Sequence, residues 1–154
     1  MNTLEFEIII STSKENLWSA WTSSQNIVQW FAPNANIEPK TGGAFELFFD
    51  PSNHDHMTTK GCKFLEFRPY KSLSFNWKAP NDFADIMNNE DSLTVVKINF
   101  MEDGDNTKIT VIHSGWRNGE KWDKARQWHE FAWKQVLNNL KEFLEHNQGT
   151  SCCQ

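Results

Sequence analysis

A chain of 154 residues is long enough for one domain with its own core, and 38% hydrophobic against 23% charged residues is the balance of a soluble globular protein. A net charge of -5, with Lys and Arg scattered rather than clustered, excludes a surface that tracks nucleic-acid phosphates, and no apolar stretch is long enough to span a bilayer. With 8 Trp and 12 Phe to 1 Tyr, flat side chains must fill the interior or line a cavity where a ligand stacks.

Leu4, Phe6, Ile8 and Ile10 alternate with Glu5, Glu7 and Ile9, the period of two that makes a strand. The opening MNTLEFEIII carries two glutamates and no basic residue, unlike a signal peptide. Ser13 is placed to cap a helix whose apolar stripe is Leu17, Trp18 and Trp21. A second short helix is expected from Ser24 to about Trp30, where Ile27, Trp30 and Phe31 cluster, and Pro33 stops it. An antiparallel meander follows. Asn36–Glu38, Ala44–Phe49, Thr59–Phe67 and Ser72–Trp77 read as strands, divided by turn chemistry at Pro39–Gly43 and Pro69–Lys71 and by the polar PSNHDHMTT. Lys78–Asp91 is polar, acidic and Asn-rich and is expected to be a mobile loop. Leu93–Met101 and Thr107–Ser114 then form a hairpin across Glu102–Asn106.

The last element is the clearest. On a helix from Ala125 onward, Ala125, His129, Ala132, Trp133, Val136, Leu140, Phe143 and Leu144 share one broad face. Lys134, Gln135, Asn138, Lys141 and Glu142 lie opposite, and Phe131 falls among them. An antiparallel sheet with one apolar face needs a cover, and this helix supplies it, so the fold class is α+β. One domain is expected over residues 1–147, with 148–154 a frayed tail. Cys62, Cys152 and Cys153 are an odd set, which argues against a disulfide framework and for a reducing cytoplasm.

Four stretches carry a family resemblance: STSKENLWSAWTSSQNIVQWF, TGGAFEL, VIHSGW and WKQVLNNLKEFLE. In this order and spacing the chain resembles the SRPBCC superfamily, which includes the birch-pollen allergen and the START lipid-transfer domains. Within it, the chain is most similar to the activator of heat-shock protein 90 ATPase homologue-like domain. The resemblance covers roughly Leu4 to His146. It implies a helix-grip fold, in which a curved antiparallel sheet of about six to seven strands wraps a long C-terminal helix, with two short helices after the first strand. Members of the superfamily bind hydrophobic small molecules, act as cyclases or aromatases, or serve as co-chaperone modules. In the eukaryotic activator a separate N-terminal domain carries much of the chaperone contact. This sequence shows no such domain, so chaperone stimulation is not expected.

VIHSGW raises the question of catalysis directly. On the strand Lys108–Ser114, Ile109, Val111 and His113 share one face while Thr110, Ile112 and Ser114 share the other. A nucleophile and its base must lie within hydrogen-bond reach, so His113 and Ser114 are not a catalytic pair. His129 is the more interesting partner, because the terminal helix begins soon after that strand ends. Both histidines are read first as core residues with a satisfied nitrogen, next as ligand contacts, and last as acid–base groups. His54-Asp55-His56 has no evident third metal ligand and reads as a polar loop.

The candidate lining of a cavity is Phe31, Phe45, Phe75, Trp77, His113, Trp116, Trp128 and His129, against the alternative that these side chains fill it. No catalytic residue, metal or cofactor is assigned. The expected function is a cytoplasmic binding module for an apolar or aromatic small molecule. The alternatives are a protein-interaction or stress-response module related to the chaperone activator, and a cyclase-like enzyme using a cavity histidine. Phe131 on the polar side of the helix marks a possible homodimer contact.

Overall fold

The computed structural model describes residues 3–146. In chain order it contains β1 (Leu4–Ile10), α1 (Lys14–Thr22), α2 (Ser24–Ile27), β2 (Asn34–Ile37), β3 (Phe45–Phe48), β4 (Phe64–Arg68), β5 (Ser72–Trp77), α3 (Ala84–Met87), β6 (Thr94–Asp103), β7 (Asn106–Ser114) and α4 (Glu120–His146). Five strands form one antiparallel sheet in the order β1-β7-β6-β5-β4, and β2 pairs with β3 beside it. Bridges between Ala44 and Lys63 and between Phe48 and Thr58 carry the small sheet on from the large one. The Phe45 amide donates to the Cys62 carbonyl at 2.8 Å at the same seam. The helix-grip α+β architecture is present as expected. The expected tail 148–154, with Cys152 and Cys153, lies outside the described residues.

Side-chain period explains each layer. Along β7 burial alternates strictly, so Thr107, Ile109, Val111 and His113 face inward. α4 buries Trp122, Ala125, His129, Trp133, Leu137, Leu140 and Leu144, a stripe at intervals of three and four residues. Its far end is tied to β1: Lys141 Nζ donates to the Ile9 carbonyl at 2.7 Å, and Glu145 Oε2 accepts from the Ser11 amide at 2.7 Å. α1 starts where the Ser13 hydroxyl accepts the Asn16 amide at 3.0 Å. Its Trp21 is fully buried among Trp30, Phe31, Phe75 and Trp133.

Three segments differ from expectation, the first being the strand expected over Thr59–Phe67, which begins only at Phe64 after a turn at Lys60–Gly61. α2 ends at Ile27 rather than near Trp30, because the Trp30 and Phe31 side chains turn into the core and Trp30 Nε1 donates to the Ala20 carbonyl at 3.1 Å. The stretch after β5 is not a structureless loop. A 3-10 turn at Asn81–Phe83 leads into α3, and a second follows at Glu90–Ser92. Met87 is fully buried, and the Asn88 side chain satisfies both the amide and the carbonyl of Ala79, at 2.6 and 3.0 Å. Composition misses this because one buried side chain and one amide clamp suffice to order a polar segment.

Candidate functional site

The strand β7 sends His113 into the core and Ser114 to the opposite face, where it pairs with Val95. His113 is completely buried and both of its ring nitrogens are hydrogen-bonded. Trp133 Nε1 donates to His113 Nδ1 at 3.0 Å. An indole N–H can only donate, so Nδ1 is an acceptor and the proton sits on Nε2. That Nε2–H then donates to Thr94 Oγ1, 2.8 Å away on β6. Directly after the strand, Gly115 takes φ 97, which brings Trp116 back so that its Nε1 donates to the His113 carbonyl at 3.0 Å.

His129 mirrors this arrangement with the opposite tautomer. Its Nδ1–H donates to the Ala125 carbonyl one turn earlier in α4, at 2.8 Å. Its Nε2 accepts the Trp77 indole N–H at 3.1 Å. Both imidazoles are thus held neutral. Burial pushes His113 well below the ordinary histidine range, and neighbouring His129 adds to the effect. Burial also pushes His129 down, to about 4, against the opposing pull of the Ala125 carbonyl. A second proton on either ring would face an indole N–H, donor against donor. Neither ring can serve as a base without surrendering a buried bond.

Beside the pair lies an open cleft. A pocket of about 100 Å³ with an entirely apolar wall is lined by Phe31, Phe49, Trp77, Trp128, Ala132, Trp133, Val136 and the His129 ring. A larger one of about 270 Å³ adjoins it across Phe49, Trp77 and Trp128, and continues past Met57, Thr58, Lys78, Ala79 and Pro80. Trp128, 45% exposed, stands at the mouth against Phe83 and His129, with ring centres 6.2 and 4.9 Å away.

The structure therefore divides the candidate lining in two. Phe31, Trp77, Trp128 and His129 meet at the cleft. Phe45 and Phe75 stack on each other at 3.8 Å deep in the core, and His113 and Trp116 lie behind His129. The His54-Asp55-His56 segment is spent on local contacts. His54 stacks on Phe48, His56 Nδ1 sits 2.9 Å from Asp50 Oδ2, and Asp55 pairs with Lys60.

Residues 11–145 match the family model described as Activator of Hsp90 ATPase homolog 1-like protein. The chain belongs to this family. Solved structures agree on the fold of this Hsp90-activator-like domain. Protein MLL2253 from Mesorhizobium loti superposes with a TM-score of 0.73 at 23% identity, over 92% of this chain and 96% of that one. The Aha1 dimer from Colwellia psychrerythraea gives 0.71 at 18% identity, over 97% and 100%. An HSP90 activator from Plasmodium falciparum gives 0.69 at 17% identity, over 92% and 95%. At these identities the likeness is one of fold. No protein of curated function matches the sequence significantly.

Several cleft residues of this Hsp90-activator-like domain carry no obvious signal in the sequence. Phe49 is expected on a strand face with Phe45 and Leu47, yet it sits just past β3, half-buried at the cleft. Ala132 and Val136 lie on the predicted apolar face of α4, and their pocket role follows from incomplete cover by the sheet. Lys78 and Met57 come from segments that composition marks only as polar loop. Met57 adopts φ 53, a left-handed conformation rare for a non-glycine residue, and its Sδ accepts the Asn81 amide at 3.3 Å.

Proposed function

We propose that this domain holds an apolar or aromatic small molecule in the cleft between β5 and α4, without a built-in cofactor or metal. The carrying observation is the apolar wall of that cleft, with a half-exposed tryptophan at its mouth. Trp77 and Phe31, stacked on each other at 5.8 Å, offer a flat inner surface, and Trp128 offers an outer one. A bound ring would cover apolar area that water now wets. The setting we infer is the cytoplasm, supported by the odd cysteine count and by Cys62 remaining a buried free thiol. Among the described residues, no helix is long and apolar enough to cross a membrane.

Titration with a neutral naphthylamine dye tests the reading. Saturable fluorescence enhancement, weakened about tenfold or more by Trp128→Ala, is expected. Absence of saturable binding would overturn it. The cyclase-like alternative receives no support from the two histidines, whose nitrogens are all engaged.

A second reading is favoured by a separate observation. Phe131 is 72% exposed and lies one turn from Trp128 on α4. Such a pair suits a contact with a second copy of the chain, and the Colwellia relative is a dimer. Sedimentation across a wide concentration range decides this: a concentration-independent monomer removes it.

A further inference from the structure

The cleft has one polar corner. Lys78 lines the larger apolar pocket and also an adjoining polar one of about 320 Å³, where Asp55, Lys60, Asn81 and Asn88 gather. The Lys78 side chain is half-buried, and its ammonium donates to the Lys60 carbonyl at 2.6 Å. Among the described residues, no carboxylate lies within ion-pair distance of it. Two other charges lining the polar pocket offset each other, since Lys60 Nζ and Asp55 Oδ1 pair at 2.9 Å. Lys78 is therefore a cation without an ion-pair partner among the described residues, beside an apolar trough, while Glu46 accepts the Gly61 amide at 2.9 Å. Gly61, at φ 94, leaves room for the ammonium; a side chain there would touch Lys78 Nζ at 3.4 Å. Opposite, Met57 holds its strained φ 53 on the wall of both pockets.

The Lys78 ammonium has two N–H donors beyond the one used by Lys60. An anion reaching it from the apolar side would make a charge-assisted hydrogen bond while its body rests on the apolar wall. We propose that the occupant of the cleft is an amphiphilic anion: an aromatic or aliphatic body between Trp77 and Trp128, with a carboxylate at Lys78. This rests on the cleft being a ligand site and adds the chemical class of the ligand. The chain's net charge of -5 does not steer anions toward the protein, so the discrimination lies in the local bond and not in long-range attraction.

The test compares naphthoate with the near-isosteric neutral naphthamide, by calorimetric titration of the full chain. The wild type is expected to bind the carboxylate about tenfold more tightly than the amide. Lys78→Met keeps the apolar stem and should erase this preference by weakening carboxylate binding alone. Lys78→Arg should preserve it, which separates loss of charge from loss of fold. Equal affinities in the wild type, or a preference that survives Lys78→Met, overturn the proposal while leaving the apolar cleft intact. If neither probe binds, the cleft reading itself fails.

Discussion

His113 and His129 meet edge to face in the core, with ring centres 5.6 Å apart and planes at 88°, and each accepts an indole N–H from a different tryptophan. One ring comes from the end of β7 and the other from the first turns of α4. The pair makes four hydrogen bonds, two of which join sheet to helix, and their directions admit only the neutral forms.

Acid should therefore unfold the protein through these groups. Both folded pKa values are depressed, so the stabilisation is fully present above the unfolded value of 6.5. It is lost as pH falls from there through about 4, because the unfolded chain takes up protons that the folded one refuses. The His129 shift corresponds to roughly 3 kcal/mol. Urea midpoints measured from pH 8 down to pH 4 should be flat at first and then drop; a midpoint unchanged below pH 6 contradicts the locked neutral pair.

The two indole donors can be removed separately. Trp133→Phe leaves His113 Nδ1 buried without a donor, and Trp77→Phe does the same to His129 Nε2. Each should cost about 1–3 kcal/mol beyond the small change in volume. Each should also make the loss of stability with acid shallower, since a second ring proton no longer meets another donor and the folded pKa moves back toward the unfolded value. A variant destabilised with no change in its pH profile would show packing loss alone.

Trp128 and Trp133 lie five residues apart on α4 and should behave oppositely. Trp133 is 3% exposed and Trp128 45% exposed. Trp133→Ala is expected to lose about 3–5 kcal/mol. Trp128→Ala should cost far less stability while weakening probe binding. Thermal melts and dye titrations on the same two proteins separate core from mouth.

Gly115 is a backbone requirement. Its φ of 97 is unfavourable for any L side chain, and an added Cβ would press on Thr94 Cα at 3.2 Å. Thr94 holds His113 in place. Gly115→Ala should destabilise by about 1–3 kcal/mol, read from urea unfolding. A neutral effect would mean that the turn after β7 relaxes freely.

Cys62 should be chemically silent in the folded state. It is fully buried, and burial pushes its thiol up to about 12. In a C152S/C153S background, a thiol reagent should label Cys62 only after denaturant is added. Rapid labelling of the native protein would show that the seam between β3 and β4 opens readily.

Patterns within single elements are strong enough to be read directly. The period of two along Thr107–Ser114 separates His113 from Ser114, and the three-four spacing from Ala125 to Leu144 marks the buried stripe of α4. These are local steric periodicities, so neighbours in sequence suffice to reveal them. The order of strands and helices, set by turn residues and apolar runs, likewise announces an α+β fold, to which the family resemblance adds the helix grip.

Partners across the core are another matter. Trp77 reaches His129 from 52 positions away, and Trp133 reaches His113 from 20. No periodicity links them; they meet because the sheet turns β5 and β7 toward the same face of α4. The same is true of Lys78. In the sequence it is one lysine at the edge of a polar stretch, and only packing sets it beside an apolar trough with no ion-pair partner among the described residues. Local spacing decides which side of an element a residue occupies. What it meets there depends on long-range packing, which sequence spacing alone does not encode.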